Sequence, residues 1–314
     1  MNDQTIKDAL EAIAATAVAP ERVRARIDAR ARAHRQRRAL LAAAGVATVT
    51  TAVGVPLALR DQRPTLPSPA QPPEPVAEPR TMSLLFAPQW LPDGVAEQFR
   101  SVKYDTATGE VLGGSRSWYP AGAPYSLEIP KGSVTLMIDE RIDDGSGEPV
   151  MVGPARGTLR VTDSAWVEWQ PAGGPVMVVS VYGTGDDTAN ALRVARSVAA
   201  TDETATVTMR APLVPQAFDG HTLFEVFPAA DGGRQSLTVA SDDLRNHFVL
   251  QTSPPESGQP FQSVERNGIM VYLPREVPGV EVVDGGARLT DDEAREVLER
   301  VECLPPDLSW VGGR

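Results

Sequence analysis

The chain has 314 residues, with 41 acidic and 30 basic side chains, a net charge of −11 and a single cysteine. This length predicts about two domains. One cysteine excludes an internal disulfide framework and any zinc site that requires two thiolates. The negative charge is concentrated in residues 60–314. It argues against a nucleic-acid partner, because phosphate binding requires basic residues.

Residues 1–38 form a basic stub, with nine basic and five acidic side chains. Ile6, Leu10 and Ile13 fall at helical spacing, and Pro20 suits the first turn of a second helix. We expect a cytoplasmic helical stub whose arginines lie against anionic lipid headgroups. The alternative is a helix pair that binds a cytoplasmic regulatory protein.

Residues 39–59 carry no ionisable side chain and predict one transmembrane helix in the lipid bilayer. A helix of this length spans roughly 31 Å, about one hydrocarbon core. The arginines before it place the N-terminus in the cytoplasm and the C-terminal region outside the cell membrane. A buried core helix and a signal peptide cleaved near Gly54 are the two alternatives.

Residues 60–80 contain seven prolines and predict an extended linker. From residue 84 onward, turns separate short runs of β-branched and aromatic residues. The predicted strands are 134–138, 158–161, 165–169, 176–182, 222–227, 236–239, 247–250 and 268–273.

Two helices are predicted to close these strand-rich runs. One is capped by Asp186 or Asp187, and the other opens on a capping box formed by Thr290 and Glu293. We therefore predict an α+β fold. It has N-terminal cytoplasmic helices and one transmembrane helix, followed by two exported antiparallel-sheet-plus-helix units at 84–205 and 206–314.

The sequence shows no serine-hydrolase, zinc-peptidase or P-loop motif, and we predict no catalytic, metal or cofactor-binding residue. His34, His221 and His247 lie in separate segments, so a metal pair is the less favoured interpretation. Cys303 follows the last predicted helix and is expected to be a buried, inert thiol. Trp90 and Trp310 are expected to be core anchors or edge covers, and an aromatic ligand platform is the less favoured alternative.

An acidic loop is the best metal candidate. Its carboxylates surround flexible glycines, as calcium prefers, but they miss the spacing of a helix-loop-helix calcium site. We therefore expect a solvated hairpin loop. The carboxylates belong to Asp139, Glu140, Asp143, Asp144 and Glu148.

A short phrase opens the exported region, P-x-W-L-P-x-G, carried by Pro88, Trp90, Leu91, Pro92 and Gly94. Together with the Arg-rich stub, the apolar span and the proline-rich stalk, it resembles single-pass membrane proteins of high-GC actinobacteria. Some of these are similar to anti-sigma-factor or sigma-regulator proteins. The chain departs from the zinc-containing anti-sigma class, which uses a His and two Cys in the cytoplasmic segment, because no cysteine precedes Cys303.

These features predict a membrane-tethered, exported binding or sensing module without catalytic activity, with the stub as a regulatory arm. The alternative is an exported cell-wall-directed hydrolase that uses acidic residues such as Asp139, Asp143 or Asp144. Glycoside chemistry requires two carboxyl groups at a defined separation in a cleft.

Overall fold

The computed structural model describes residues 78–123, 129–140, 147–229, 232–243, 245–255, 259–275 and 288–313. This part of the chain is 51% strand and 12% helix. The predicted α+β class is therefore wrong, and the described region is mainly β. Long paired strands account for the difference, because only two helices interrupt them in the described ranges.

The strands are numbered in chain order. They are β1 Arg80–Ser83, β2 Phe86–Pro88, β3 Val95–Asp105, β4 Val111–Pro120, β5 Ser133–Ile138, β6 Glu148–Val152, β7 Ala155–Val161, β8 Ala165–Trp169, β9 Met177–Tyr182, β10 Val198–Ala200, β11 Thr204–Val207, β12 Met209–Arg210, β13 Gly220–Ala229, β14 Gly232–Ser241, β15 His247–Gln251, β16 Phe261–Arg266, β17 Ile269–Pro274 and β18 Glu302–Cys303. The helices are α1 Asp187–Ser197 and α2 Asp291–Arg300, and a 3₁₀ turn covers Gln216–Phe218.

Twelve strands form one antiparallel sheet in the order β16-β17-β15-β14-β13-β3-β4-β5-β9-β8-β7-β6. The predicted two separate sheet units are instead two halves of this sheet, joined where β3 pairs with β13. Two separate sheets would each expose an edge of unpaired backbone groups at this position, and the β3–β13 pair removes both edges. The predicted domain bounds at 84–205 and 206–314 stay a prediction.

The two halves share one layout. In each half, three consecutive strands run outward from the centre, β3-β4-β5 in one and β13-β14-β15 in the other. A later strand then leads into a helix, β9 into α1 and β17 into α2. The strand after each helix pairs with a strand that precedes the half, β10 with β2 and β18 with β12.

Two hydrophobic clusters lie on the same face of the sheet. One contains Trp118, Leu136 and Val194 of α1, and the other contains Phe224, Leu237 and Val297 of α2. Each helix buries one face against its half of the sheet, as expected from an amphipathic pattern. The β1–β11 pair lies near the centre, where Met82 and Val207 join the second cluster.

The predicted transmembrane helix at 39–59 lies outside the described residues, as does the stub at 1–38. In the ranges that the structure does describe, no helix is long and apolar enough to cross a membrane. Helices α1 and α2 have 11 and 10 residues, about half of what a span requires. The prediction of a single-pass protein of the cell membrane is therefore corrected, because the structure does not support it.

Candidate anion-binding site

Arg100 and Arg116 lie directly opposite each other on β3 and β4. Both point to the face that carries the two hydrophobic clusters, since Arg100 is opposite Val226 of one cluster and Arg116 opposite Leu136 of the other. Their side chains are 8% and 3% exposed. A guanidinium group stays charged in a protein, so two buried guanidinium groups require carboxylate partners.

The inner partner of both arginines is Glu97. Its Oε1 accepts from the Nε of Arg100 at 2.8 Å and of Arg116 at 2.7 Å. Its Oε2 accepts from the two Nη2 atoms at 2.9 Å and 2.8 Å. Each arginine is thus bound through two parallel, charge-assisted hydrogen bonds.

A β-bulge explains how Glu97 reaches this position. Residues three apart in a regular strand point to opposite faces of a sheet. The register of β3 shifts between Glu97 and Phe99, and the extra residue returns Glu97 to the same face as Arg100. The C-terminal segment supports the bulge, because Glu97 N donates to Gly313 O and Gly312 N donates to Glu97 O.

The outer partner is Glu203, in the short connection between β10 and β11. Its Oε2 accepts from Arg116 Nη2 at 2.7 Å and from Arg100 Nη2 at 3.2 Å. The Glu203 side chain is 42% exposed, whereas that of Glu97 is 1% exposed. Two carboxylates therefore balance two guanidinium groups, and Glu203 is the member that solvent reaches.

The two arginines differ at their outer edges. Arg100 Nη1 donates to the carbonyl oxygen of Thr204 at 3.0 Å. Arg116 Nη1 is buried and has no acceptor, and neither has the buried Nε1 of Trp118. A buried donor without a partner costs about 1–3 kcal/mol, so Arg116 and Trp118 each carry a hydrogen-bond donor that the described residues do not satisfy.

Two tryptophan rings contact the arginines. The guanidinium carbon of Arg100 lies 4.7 Å from the Trp310 ring centre, and that of Arg116 lies 5.1 Å from the Trp118 ring centre. A cation above an aromatic face is attracted to it. Trp310 is half-buried, whereas Trp118 is fully buried, so Trp310 lies nearer to solvent.

Electrostatics keep the cluster charged. Burial by itself lowers the pKa of Arg116, but the hydrogen bonds and charges of Glu97 and Glu203 outweigh it and raise that pKa above its ordinary value. Hydrogen bonds from Ser309 lower the pKa of nearby Asp307, and the charge of Arg100 lowers it further. Guanidinium groups in this state bind and orient anions and do not exchange protons.

The opposite face of the sheet carries a second buried polar group. Ser236, Glu225, Ser101 and Ser115 follow one another across β14, β13, β3 and β4; we call them the serine row. Ser236 Oγ donates to Glu225 Oε2 at 2.8 Å. The pKa of Glu225 is raised to about 7, mainly by burial. The hydrogen bond from Ser236 lowers this pKa, and the charge of Glu140 raises it further.

The predicted histidine candidates do not assemble a metal site in the described ranges, where no group of three or more His, Cys, Asp or Glu side chains converges. His221 and His247 flank Ala240 in one cross-strand row. Burial lowers the pKa of both. His34 lies outside the described residues.

The acidic loop is only partly described. Asp139 forms an ion pair with Lys103, its Oδ2 lying 3.0 Å from Nζ, and Glu148 begins the edge strand β6. Asp143 and Asp144 lie outside the described residues. The described carboxylates of this loop are therefore not brought together as a calcium site or as a catalytic pair.

The remaining candidates are structural. Cys303 is a free, buried cysteine, and burial raises the pKa of its thiol to about 11. Trp90 is half-buried beside the cluster that contains Trp118, with Arg193 located 3.9 Å from its ring centre. Trp310 packs on the other cluster but also covers Arg100, a contact that the sequence interpretation did not include.

The arginine pair was not among the predicted site residues. A charged side chain at a core-facing position of a strand is the signal that identifies such a group. The bulge hides this signal in β3, because it breaks the two-residue period. Helical or strand periodicity alone also does not show that Glu203, about a hundred residues later in the chain, reaches the same place.

Comparison with protein-family models and with curated proteins gives no relative. No protein-family model matches the chain, and no curated protein matches it. The resemblance to sigma-regulator proteins therefore stays a prediction. The predicted lipid and regulatory-protein contacts also stay untested, because they fall on residues 1–59, outside the described ranges.

Proposed function

We propose that this chain is a binding module without catalytic activity, which takes up a small anion at the paired guanidinium groups of Arg100 and Arg116. One observation carries the proposal. The outer acceptor of both arginines is the carboxylate of a half-exposed loop residue, Glu203, and an anion from solution can replace it without disturbing the sheet.

The inner part of the cluster is held independently of Glu203. Glu97 binds both arginines through four hydrogen bonds, and all three side chains project from the long strands β3 and β4. Glu203 contributes through one oxygen only. Because the Glu203 side chain is 42% exposed, solvent screens this outer pair more than the inner one, and an external anion that replaces Glu203 keeps the two arginines balanced by two negative charges.

The chemistry of the cluster favours binding over catalysis. Arginine binds oxyanions with a rigid set of N–H donors, whereas catalysis by proton transfer requires a group that titrates near the working pH. Both carboxylates of the cluster accept hydrogen bonds from guanidinium groups and so occupy positions that suit an oxyanion.

The test is an anion titration of the whole chain, followed through tryptophan fluorescence, since Trp310 contacts Arg100. Acetate, phosphate, sulfate and chloride are compared at constant ionic strength, on the wild type and on Glu203→Ala. We expect saturable quenching or enhancement, with a higher affinity for Glu203→Ala because the internal competitor is absent.

Two variants serve as controls. Asp202→Ala removes an exposed neighbouring acid that lies outside the cluster, and it should bind as the wild type does. Arg116→Met combined with Glu203→Ala removes one charge of each sign, so that the remaining Arg100–Glu97 pair is neutral, and it should lose the response. The proposal is overturned if no anion produces a saturable signal with either the wild type or Glu203→Ala.

A further inference from the structure

We infer that the anion is a short-chain monocarboxylate, that Arg116 holds it through the outer edge of its guanidinium group, and that Glu203 is an internal stand-in for it. The inference rests on the proposed function and specifies its ligand class. Its starting point is a difference between the two arginines. Both bind Glu97 in the same way, but the partners of their outer nitrogens differ.

The geometry of the outer edges selects Arg116. On Arg100, both outer nitrogens are occupied, Nη2 by Glu203 and Nη1 by the Thr204 carbonyl. On Arg116, Nη2 binds Glu203 while Nη1 has no acceptor. A free carboxylate has two oxygens in one plane and matches the two parallel donors of this edge, whereas Glu203 contributes only Oε2.

The neighbouring Trp118 side chain also has an unsatisfied donor. Trp118 Nε1 is also buried without an acceptor, and its ring faces the Arg116 guanidinium group on the same strand. Arg116 Nη1 and Trp118 Nε1 are thus two unsatisfied buried donors on side chains that contact each other.

The charge balance selects a monoanion. Glu97 is fully buried and stays in place, so one of the two positive charges is already compensated. Departure of Glu203 leaves a vacancy of one negative charge. A monocarboxylate restores neutrality, whereas sulfate or doubly ionised phosphate leaves an excess negative charge at a buried site, where it is costly.

The size of the ligand follows from the residue that it replaces. The Glu203 side chain beyond its α-carbon is a propionate group, and it is the part of this residue that lies against Arg116. Propionate reproduces the whole side chain, and acetate reproduces the part that Glu203→Ala removes, since alanine keeps the β-carbon.

The experiment is a chemical rescue of Glu203→Ala in the full chain. Melting temperature is measured with increasing millimolar propionate, acetate, sulfate and phosphate at constant ionic strength. We expect Glu203→Ala to melt below the wild type and propionate to raise its melting temperature saturably. The apparent dissociation constant for propionate should be at least about ten-fold lower than that for sulfate or phosphate.

Three variants sharpen the comparison. Glu203→Gln keeps a side chain in the vacancy and should show no rescue. Arg116→Lys in the Glu203→Ala background removes the two-donor edge and should lose the preference for propionate. Asp202→Ala should not create any dependence on propionate. If Glu203→Ala does not fold without ligand, the refolding yield with each anion provides the same ranking.

The outcomes distinguish a preference for monocarboxylates from anion binding as such. Sulfate or phosphate binding as tightly as propionate overturns the monocarboxylate assignment and leaves anion binding intact. Rescue of Glu203→Gln as strong as that of Glu203→Ala overturns the stand-in role of Glu203. No response to any anion overturns both this inference and the proposed function.

Discussion

Arg116 and Gln235 lie in one cross-strand row, on β4 and β14, on either side of the β3–β13 pair that joins the halves of the sheet. Gln235 is opposite Val226, Val226 is opposite Arg100, and Arg100 is opposite Arg116. Each half therefore places a long polar side chain at the same distance from the centre, on the face of the hydrophobic clusters.

Gln235 and Arg100, the partner of Arg116, donate to backbone carbonyls next to the short strands that cross this face. Gln235 Nε2 donates to Leu304 O at 2.7 Å, just after β18, and Gln235 Oε1 accepts from Thr208 Oγ1 beside β12. On the other side, the arginine cluster reaches Thr204 O at the start of β11. Partly buried backbone carbonyls near these short strands thus receive side-chain donors.

We predict that Gln235→Leu destabilises the protein by about 2–4 kcal/mol. The substitution leaves the Thr208 hydroxyl and the Leu304 carbonyl without their buried partner, at about 1–3 kcal/mol each. Chemical denaturation measures the change in the free energy of unfolding. Gln262→Leu, on the edge strand β16, is the control and should change it by less than about 1 kcal/mol.

The two glutamates of the cluster should differ in their effect on stability. Glu97→Gln removes the buried charge that both arginines share, and we expect a loss of about 3–5 kcal/mol, typical of breaking a buried ion pair. Glu203→Gln should cost about 1 kcal/mol, because its side chain is exposed to solvent. Equal losses in urea unfolding would contradict the assignment of inner and outer roles.

The sequence predicted eight strands of the twelve-stranded sheet and both helix starts. Strands β5, β7, β8, β9, β13, β14, β15 and β17 all overlap predicted runs. The cap at Asp186 and the capping box of Thr290 and Glu293 are present, because helix-start signals are local and independent of tertiary contacts. Local signals do not determine pairing, so the joining of both halves into one sheet was missed.

The central strands β3 and β4 were not predicted, and they are the strands that carry the site. Their core-facing positions include Glu97, Arg100 and Arg116, which interrupt the apolar alternation that identifies a half-buried strand. The bulge after Glu97 interrupts it again. The buried charged side chains and the bulge that interrupts the two-residue period form the cluster. The same two features make β3 and β4 hard to identify as strands in the sequence.

Cys303 should react slowly with thiol reagents in the folded protein. Its side chain is buried, and the thiol pKa of about 11 leaves little thiolate at neutral pH. Labelling with a chromogenic disulfide should be complete within minutes in denaturant. It should be orders of magnitude slower without denaturant. Fast labelling of the native protein would place Cys303 at the surface.

Glu225 should make stability depend on pH between about 4.5 and 7. Its pKa is raised from 4.5 to about 7 in the folded protein. Because the folded-state pKa is the higher one, the stabilisation by protonation is fully present below about pH 4.5. It is lost as the pH rises through about 7, and its full size is on the order of 3 kcal/mol.

Substitution of this carboxyl by an amide isolates its contribution from that of other titrating groups. Relative to Glu225→Gln, the wild type should become less stable as the pH rises from about 5 to about 8, when unfolding free energies are compared in urea. Glu265→Gln, at an exposed position of β16, should show no such trend against the wild type. A pH-independent difference for Glu225→Gln would mean that Glu225 is already ionised in the folded state, and that the serine row stabilises a charge instead of a neutral carboxyl.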